Sequence, residues 1–481
     1  MFIQRSILNY ENKTESLFIR KADNLISFDT FFNSLNVYLI KKYTDGKNVS
    51  LTFSYKGKAH LKIVYKSLAS EKELLDSELS KNEYSVNIED LPSEGIIYPV
   101  FSSLDGFELD GFNYEVDSTS RDIKPAIVIC TYKREDYLLK NLKELEQCKD
   151  YISQVIVVDN GQSVELDDSF SKKYITFITN KNVGGTGGFT RGMIEAKKKG
   201  YTHIFVMDDD ITLLPEVVNK TVSFISCLKD EYKEGWLGYS MLPNSNPTMQ
   251  YELGTTWNGV RMRLNNRGLD LTSVDNVLHN QINNNYNYSA WWSLIMPTTV
   301  LDKYGYPFPF FIKFDDIEYG LRRKDEGIIL TNGFAVWHQD FDEKLHPSLE
   351  YYLYRNALVT NALHDSRPLW HSIIRFMGKK VKFYFKLKPR EMEMMDLGIN
   401  DFLKGPDYFL NLDIQKRHKE IRELSSKKPN YLKGIFVSPF ISFYYCVKLA
   451  KKFKKARVLY VNSFKTVTSF EYWNGVFNDE K

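Results

Sequence analysis

The feature that most limits how this chain can fold is a short apolar run that ends in three consecutive aspartates. Residues 204–207 are apolar, and Asp208, Asp209 and Asp210 follow without a spacer. A short apolar run bounded by polar residues is typical of a buried strand in a parallel sheet. Three adjacent carboxylates at its end would repel one another strongly unless a cation lay between them. Because alternate residues of an extended segment point to opposite sides, Asp208 and Asp210 can face one ion while Asp209 faces elsewhere.

An isolated acidic triplet has a second interpretation. Pro215 and Glu216 follow closely and could open a helix, so that the acids would form a solvated turn or an N-terminal cap cluster. The surrounding segments favour the strand, because apolar runs and helical periodicity alternate along the chain. The predicted elements are strands at 126–130, 155–158 and 174–178 and helices at 135–148 and 189–199. This alternation indicates a nucleotide-binding α/β domain, in which ligands bind at the carboxyl ends of the strands.

Polar residues stand at the carboxyl end of each of these predicted strands. They are Thr131 and Arg134, Asp159 and Asn160, Asn182, and then Asp208 and Asp210. Packing alone does not explain such convergence, so we expect a ligand site at this edge of the sheet.

The segment 182–192 between the third strand and its helix is rich in glycine and includes Gly185. Such a segment lets backbone N–H groups approach a ligand closely, and the helix that follows offers its positive end to phosphate. No Gly-Lys-Ser/Thr sequence follows, so the segment is not a P-loop. A purely structural glycine turn is the alternative.

Two further pairs of residues suggest substrate chemistry. Trp291 and Trp292 lead into a strand, and because successive strand residues point in opposite directions, we expect one ring to offer its face to a sugar. Asp315 and Asp316 open a predicted helix, so that one is expected to cap it while the other serves as a general base. His338 ends a strand predicted near 328–336 and, taken alone, is typical of a surface residue.

Composition limits the class of protein. A chain of 481 residues with 43% hydrophobic residues supports two or three domains with real cores. The formal net charge of +3 gives no sign of nucleic-acid binding. Four widely separated cysteines favour a reducing compartment, and neither a signal peptide nor a transmembrane helix is predicted. We therefore expect a cytoplasmic protein.

The flanking segments differ from the central α/β domain, which is predicted over 123–345. Residues 1–122 alternate apolar and polar residues and predict a β-sandwich, with a hairpin turn at 55–58. Residues 346–481 are predicted to be helical. The stretch 434–455 combines apolar residues with lysines, which is compatible with peripheral contact with an anionic membrane. A solvated helical face or a contact in a homo-oligomer is the alternative.

Taken together, these motifs resemble the family 2 glycosyltransferases of the GT-A fold. Within that family the sequence is similar to the galactofuranosyltransferases that polymerise bacterial galactan. The segments that carry the resemblance are 131–134, 158–161, 182–192, 207–211, 291–292, 314–322 and 337–338. The resemblance implies a Rossmann-like nucleotide-sugar domain between an N-terminal β-sandwich and a C-terminal helical region.

The resemblance also implies an activity and the residues that perform it. The enzyme would move galactofuranose from UDP-galactofuranose to a glycan or lipid-linked glycan acceptor in cell-surface polysaccharide synthesis. The residues implied for the nucleotide are Arg134, Asn160, Asn182, Gly185 and Asp208. The implied ligands of Mn²⁺ or Mg²⁺ are Asp208, Asp210 and His338. Asp316 would be the base of a single inverting displacement, and Trp291, Trp292 and Asp315 would bind the acceptor.

Several alternatives remain at this point. The donor could be another nucleotide sugar, with rhamnosyl or galactopyranosyl transfer. A nucleotidyltransferase should have a glycine-rich loop with Arg and Lys directly after its first strand, but residues 131–136 contain no glycine. A non-catalytic carbohydrate-binding protein would not need Asp208, Asp210, His338 and Asp316 together.

Overall fold

The computed structural model describes residues 2–165, 170–281, 286–324, 326–340, 346–364 and 369–478. The strands, numbered β1 to β19 along the chain, are Phe2–Arg5, Arg20–Ala22, Leu25–Ser27, Leu35–Asn36, Asn48–Lys66, Glu71–Glu78, Glu83–Asn87, Ile96–Val116, Pro125–Thr131, Gln154–Asp159, Ile175–Thr179, His203–Asp208, Ile211–Thr212, Leu237–Gly238, Ser240–Pro243, Thr255–Trp257, Met262–Leu264, Ser293–Pro297 and Ala335–His338. The helices, numbered α1 to α15, are Val37–Tyr43, Glu135–Leu145, Gly184–Lys198, Pro215–Ser226, Val274–His279, Val300–Tyr304, Asp315–Leu321, Leu349–His364, Trp370–Phe385, Pro389–Leu403, Pro406–Leu410, Ile414–Ser426, Tyr431–Phe436, Ser438–Val467 and Phe470–Phe477.

A six-stranded sheet forms the centre of the molecule, in the order β11-β10-β9-β12-β18-β14. Strands β11, β10, β9 and β12 are parallel, whereas β18 runs antiparallel to β12. The apolar residues of β9, β10 and β12 are buried, as expected for parallel strands covered on both faces. The predicted α/β class is confirmed, and the predicted apolar run before the aspartates is strand β12.

Helix α3 begins five residues earlier than predicted, at Gly184 rather than at Phe189. The glycine-rich segment is therefore largely the first turns of the helix rather than a loop. A Cβ on Gly188 would lie 2.1 Å from the Cys130 sulfur, and one on Gly192 would lie 2.2 Å from a Val128 methyl group. These glycines allow α3 to lie directly on β9. Gly185 is different, because a Cβ there would meet nothing within 4 Å.

The N-terminal part contains an eight-stranded antiparallel sheet in which β5 and β8 pair along most of their length. The hairpin predicted at 55–58 is wrong, because β5 continues through these residues while its register with β8 shifts. Gly57 approaches Gly106 so closely that a Cβ on Gly57 would lie 2.1 Å from the Gly106 carbonyl oxygen. The turn-forming residues thus make bulges that bend a continuous strand.

These bends fold the sheet back on itself. Leu61 pairs with Phe101, and Phe53 would lie about 26 Å from Leu61 in a straight strand. Nevertheless the rings of Phe53 and Phe101 are only 5.5 Å apart. The two halves of one sheet therefore enclose a shared apolar core, which gives the sandwich-like packing that the alternating sequence predicts.

Apolar cores continue across both predicted domain boundaries. Phe32 of the N-terminal part packs on Trp337 with ring centroids 5.6 Å apart. At the other boundary, Phe308 and Phe314 share one core with Tyr354 of α8. The division at 122 and 345 remains a prediction, and apolar contacts join the three parts.

The C-terminal part is helical, as predicted. Helix α10 packs against α8 and α14, and α14 is 30 residues long. Among the residues that the structure describes, no helix has the length and apolar character needed to span a bilayer.

The packing of α3 on β9 yields a stability prediction. Gly192→Ala should lower the free energy of unfolding by about 1–3 kcal/mol, because the added methyl group overpacks against Val128. Gly185→Ala, in the same helix, is the matched control and should cost no stability. Chemical denaturation of both variants measures the difference. Equal stability of Gly192→Ala and the wild type would contradict the close approach of α3 to β9.

Candidate active site

The aspartate triplet and a histidine from a different strand form one cluster. Strand β13 pairs antiparallel with β19, and this pairing places His338 opposite Ile211, one residue after Asp210. His338 Nε2 lies 3.3 Å from an Asp210 oxygen and 3.7 Å from an Asp208 oxygen. One ligand atom from each of Asp208, Asp210 and His338 lies within 4.8 Å of the others. Asp210 and His338 are buried, whereas the Asp208 side chain is 36% exposed.

This cluster has the chemistry of a divalent metal site. The Nδ1 of His338 lies 2.6 Å from the Gln339 carbonyl oxygen, to which it can donate, so Nε2 is directed at the carboxylates. Burial alone would lower the pKa of His338, but hydrogen bonds to Asp208 and Asp210 raise it to about 9. The two carboxylates thus favour a positive charge at this position, and a bound cation would supply one. Two carboxylates and one imidazole fit Mn²⁺ or Mg²⁺.

The middle aspartate faces a different set of partners. Asp209 accepts hydrogen bonds from Thr131 Oγ1 at 2.8 Å and from Arg134 Nη1 at 3.0 Å. Arg134 also pairs with Asp210 at 2.7 Å, and its side chain is 37% exposed. Burial raises the pKa of Asp209 to about 6 despite the opposing effect of Arg134. Arg134 therefore partly neutralises the triplet and remains accessible to a ligand.

Two of the predicted nucleotide-binding residues hold the start of α3. The Asn182 side-chain oxygen accepts from the Gly184 N–H at 3.0 Å. Asn160 is buried, donates to the Gly184 carbonyl at 2.9 Å and accepts from Asn180 at 2.8 Å. In this structure Asn160 and Asn182 position the backbone beside Gly185, and their contact with a nucleotide remains a prediction.

The predicted acid pair lies at the start of α7 and is half-buried. Asp315 accepts a hydrogen bond from Thr186 Oγ1 at 2.9 Å, which joins α7 to the first turn of α3. Asp316 accepts from the Ile317 N–H at 2.8 Å. Burial raises the pKa of Asp316 above the usual aspartate range, and the charge of Asp315 raises it further. Neither acid is the residue that caps α7, because that position belongs to Phe314.

The backbone before this acid pair is strained. Phe311, Lys313 and Phe314 have φ angles of 77°, 65° and 75°, in the left-handed region that side chains with a Cβ disfavour. Such residues persist only when the surrounding structure holds them, and they cluster at functional sites. Here α8 holds them, since Asn356 donates to the Ile312 carbonyl at 2.9 Å and to the Lys313 carbonyl at 2.8 Å.

A buried charge network fixes the other end of α7. Glu318 accepts from Arg322 Nε at 2.9 Å and pairs with His364 of α8 at 2.7 Å. Arg322 in turn donates to the carbonyls of Tyr304 and Tyr306. Burial would raise the pKa of Glu318, but Arg322 and His364 lower it to about 2, so the carboxylate stays charged. Helix α7 is therefore held at both ends by α8.

The tandem tryptophans are both buried, at 5% and 6% exposure. Trp291 packs on Phe189 on one side of the sheet, while Trp292 donates to the Tyr239 carbonyl on the other. The expectation that one ring presents an open face is wrong, because helices and loops cover both faces of this sheet. Contact of either tryptophan with an acceptor remains a prediction.

Glu252 belongs to this region and was not identified from the sequence. Its side chain is 4% exposed, and its Oε1 has no hydrogen-bond partner among the described residues. Burial raises its pKa to about 7, and its charge adds to the rise in the pKa of Asp316. It lies in an irregular connection between β15 and β16. The one sequence signal there is an acidic residue between two apolar ones, Tyr251 and Leu253.

The aspartate triplet 208–210 and the acid pair 315–316 both lie near Cys130 at the end of β9. Burial raises the pKa of the Cys130 thiol, and Asp209, Asp208 and Asp315 raise it further. The triplet at the end of β12 and the acid pair at the start of α7 therefore approach the end of β9 from two sides. A metal-type cluster, an open helix N-terminus and a carboxylate with a raised pKa line one edge of the parallel sheet.

Comparison with known proteins defines the class of this domain. The family model for glycosyl transferase family 2 matches residues 126–283, from the start of β9 to beyond α5. This match confirms the resemblance of the sequence motifs to the family 2 glycosyltransferases.

The particular relatives are galactofuranosyltransferases. The chain is 26% identical to galactofuranosyltransferase GlfT2 of Mycolicibacterium smegmatis over 58% of this chain and 46% of that protein. It is 24% identical to galactofuranosyltransferase GlfT2 of Mycobacterium tuberculosis over 81% of this chain and 67% of that protein. The chain thus spans about half the length of the first relative and two thirds of the second.

Two solved structures are similar in outline. The crystal structure of S. aureus TarS 1-349 is 16% identical, with a TM-score of 0.38, and covers 72% of this chain and 92% of its own. Mannosyltransferase PcManGT from Pyrobaculum calidifontis, solved with GDP-Man and Mn²⁺, is 10% identical with a TM-score of 0.35, over 69% and 89% of the two chains.

The geometry of the histidine yields a metal-binding prediction. His338→Ala should weaken binding of Mn²⁺ by at least roughly 10–100-fold. Loss of a residue that only supports a metal ligand already has an effect of that size, and His338 is itself a predicted ligand. Titration calorimetry with Mn²⁺ alone measures this without any assay of activity. His60→Ala, at a half-buried position of β5 in the N-terminal sheet, is the control and should bind as the wild type does. Unchanged Mn²⁺ affinity in His338→Ala would remove the histidine from the site.

Proposed function

We propose that this protein is an inverting, metal-dependent glycosyltransferase that uses a nucleotide sugar. The observation that supports this most strongly is the hydrogen bond between Thr186 and Asp315. It brings the helix end suited to a diphosphate next to the acid pair, beside the metal-type cluster at the end of β12. Nucleotide-sugar transfer needs these three groups together, and hydrolysis of a glycoside by two carboxylates does not need the helix end.

The donor would lie against the first turn of α3. Gly185 leaves open space where a side chain would stand, so a diphosphate can approach the backbone N–H groups and the positive end of the helix. Arg134, with its partly exposed guanidinium, is placed to bind the same diphosphate. Asp208, Asp210 and His338 would hold Mn²⁺ or Mg²⁺, which when bound supplies positive charge for the departing diphosphate.

Asp316 would accept the proton of the acceptor hydroxyl as that oxygen attacks the sugar. The carboxylate suits this role because its raised pKa makes it a stronger base than an exposed aspartate. Asp315 is committed to Thr186 and would keep α7 oriented. Glu252 lies close enough to influence Asp316 electrostatically and would bind a sugar hydroxyl with its unpaired oxygen.

The names of the relatives support UDP-galactofuranose as donor. The acceptor would be a glycan or lipid-linked glycan of a cell-surface polysaccharide, reached from the cytoplasmic face of the membrane. Purified protein with Mn²⁺ should transfer sugar from UDP-galactofuranose faster than from UDP-galactopyranose or dTDP-rhamnose. A preference for one of the other two donors would be consistent with the proposed glycosyl transfer but would show that UDP-galactofuranose is not the donor.

The assignment of the base predicts the effect of one substitution. Asp316→Asn is nearly isosteric and should lower turnover by about 100- to 10,000-fold, because the base is lost. UDP affinity and melting temperature should change little. Asp315→Asn, the adjacent control, should retain more turnover and lose stability, because it weakens the bond to Thr186. If Asp316→Asn keeps more than about a tenth of the turnover, outside the range expected for a base, the assignment is wrong.

The raised pKa of Asp316 predicts a pH profile. A base works only when it is ionised, so turnover should rise with pH at values above the ordinary aspartate range and fall as Asp316 takes up a proton. In Asp315→Asn the repelling charge is absent, so the ascending limb should move to lower pH. Glu252 and Lys313 also act on Asp316 and remain in both proteins. An ascending limb that does not move in Asp315→Asn would contradict the assignment.

A further inference from the structure

A cleft lies at the end of α3 that is remote from the proposed donor site. Its walls are the last turn of α3, helix α6 with the segment 304–306, the end of α14 and the start of α15, and we call it the α3–α15 cleft. Its volume of about 730 Å³ is within the range of small-molecule sites in proteins. At about 1.5 Å per residue, α3 separates the cleft from Gly185 by about 20 Å. The cleft is therefore distinct from the site at the carboxyl ends of the strands.

Bonds to the main chain fix the walls of the α3–α15 cleft. The Tyr306 N–H donates to the Thr468 carbonyl at 2.7 Å. Gly305 comes so close to the same carbonyl that a Cβ on it would lie 2.8 Å from the oxygen. Arg322 of α7 donates to the carbonyls of Tyr304 and Tyr306 at 2.7 Å and 3.0 Å. The cleft is thus held in shape by the fold itself, which lowers the entropy cost of binding a ligand there.

The charged groups that line the cleft are four lysines and one aspartate. Lys197 pairs with Asp302, and Lys303 pairs at 2.6 Å with a glutamate outside the cleft. Lys198 and Lys465 are exposed, and neither is paired with a carboxylate among the residues that the structure describes. The cleft therefore presents two ammonium groups whose charge is not neutralised, and it should attract an anion.

Aromatic rings lie beside these lysines. Phe470, the first residue of α15, is 37% exposed, and the Lys198 Nζ lies 5.4 Å from its ring centroid. Tyr306 packs on Phe470 with ring centroids 6.4 Å apart and so supports its position. Exposed aromatic side chains bind planar rings by stacking. Phe470 can thus stack on a planar ring while Lys198 binds a negative group attached to that ring.

Most polar groups that a neutral ligand would need are already used by the fold. The Thr468 hydroxyl donates to the Phe464 carbonyl at 2.7 Å, and the Ser469 hydroxyl oxygen accepts from the Tyr472 N–H at 3.1 Å. The one carboxylate is paired with Lys197. The described residues that line the cleft include no Asn, Gln, Glu or His. A neutral sugar carries hydroxyls that both donate and accept, so this lining, which is short of acceptors, suits it poorly.

We propose that the α3–α15 cleft binds a nucleotide, in addition to the donor proposed above. The base would stack on Phe470, and the phosphates would pair with Lys198 and Lys465. A phosphate without a base would leave the aromatic wall uncovered, and an apolar molecule would leave the two ammonium groups without a counter-charge. The inference does not depend on the proposed reaction, because it uses residues outside the candidate active site.

The test is titration calorimetry of the full-length protein with ADP and with UDP as probes. The titrations are carried out in excess chelator and repeated with Arg134→Ala, so that the proposed donor site contributes little to the signal. At least one of the two nucleotides should bind at one site per chain, with the same affinity in both proteins. Adenosine, which lacks phosphate, and inorganic diphosphate, which lacks a base, should each bind at least about tenfold more weakly.

Two changes in the cleft test the contacts separately. Phe470→Ala should weaken binding of the nucleotide by about 5- to 150-fold, because a stacked base is lost. The pair Lys198→Glu and Lys465→Glu should weaken it at least about tenfold, because the new carboxylates repel the phosphates. Melting temperatures show that each variant is folded.

Matched controls carry the same kinds of change outside the cleft. Phe385→Ala alters an exposed phenylalanine of α9, and the pair Lys451→Glu and Lys455→Glu alters exposed lysines of α14. Both should bind the nucleotide as the wild type does. Sugar transfer is measured separately. A protein that binds the nucleotide in the cleft but transfers no sugar would overturn the proposed function while supporting the second site.

Three results would overturn the second nucleotide site. The first is a wild type that binds neither ADP nor UDP in excess chelator. The second is binding of adenosine or of diphosphate as tight as that of the nucleotide, since the ligand would then need only one of the two contacts. The third is an unchanged affinity in both cleft variants, which would place the nucleotide elsewhere on the protein. Weaker binding in both cleft variants, with both controls unaffected, would support the site.

Discussion

The hydrogen bond between Thr186 and Asp315 is the interaction on which the site depends. It joins α3, against which the donor is proposed to lie, to α7, which carries the proposed base. To make it, the chain passes through three left-handed residues, each of which costs about 1–3 kcal/mol. Hydrogen bonds from Asn356 offset part of that cost by satisfying two carbonyl groups in the strained segment. The precision of the site therefore comes from α8, which contributes none of the proposed catalytic groups.

The electrostatics of the site follow from the number of carboxylates close to the end of β9. Asp208, Asp209, Asp210 and Asp315 approach the end of β9, and Arg134 pairs with two members of the triplet. Repulsion among ionised carboxylates is relieved when one takes up a proton or when a cation is bound. The raised pKa of His338 expresses this excess negative charge, whereas burial is the main cause of the raised pKa of Asp209. Excess negative charge favours the binding of a metal ion, and it also favours a carboxylate that readily takes up a proton.

Much of the central sheet could be predicted from sequence, because buried parallel strands and the polar residues that end them leave clear patterns. The apolar run before Asp208 predicts β12, and the triplet predicts where ligands would bind. Local patterns were misleading where long-range packing decides the outcome. Gly57 looks like a hairpin turn yet forms a bulge, because β8 supplies a partner on both sides of it along β5. Glu252 gave little signal, since it lies in an irregular connection between β15 and β16 and belongs to none of the motifs.

The contacts that α8 and α15 make with the site constrain how the protein matures during synthesis. Trp473 donates to the Pro307 carbonyl and lies 3.5 Å from the place where a side chain on Gly187 would begin. A chain emerging from the ribosome can pair its central strands long before these residues appear. Helix α7, by contrast, lacks its supports until α8 has emerged, and α3 lacks part of its cover until α15 has. During translation, the central sheet can therefore assemble well before the site is complete.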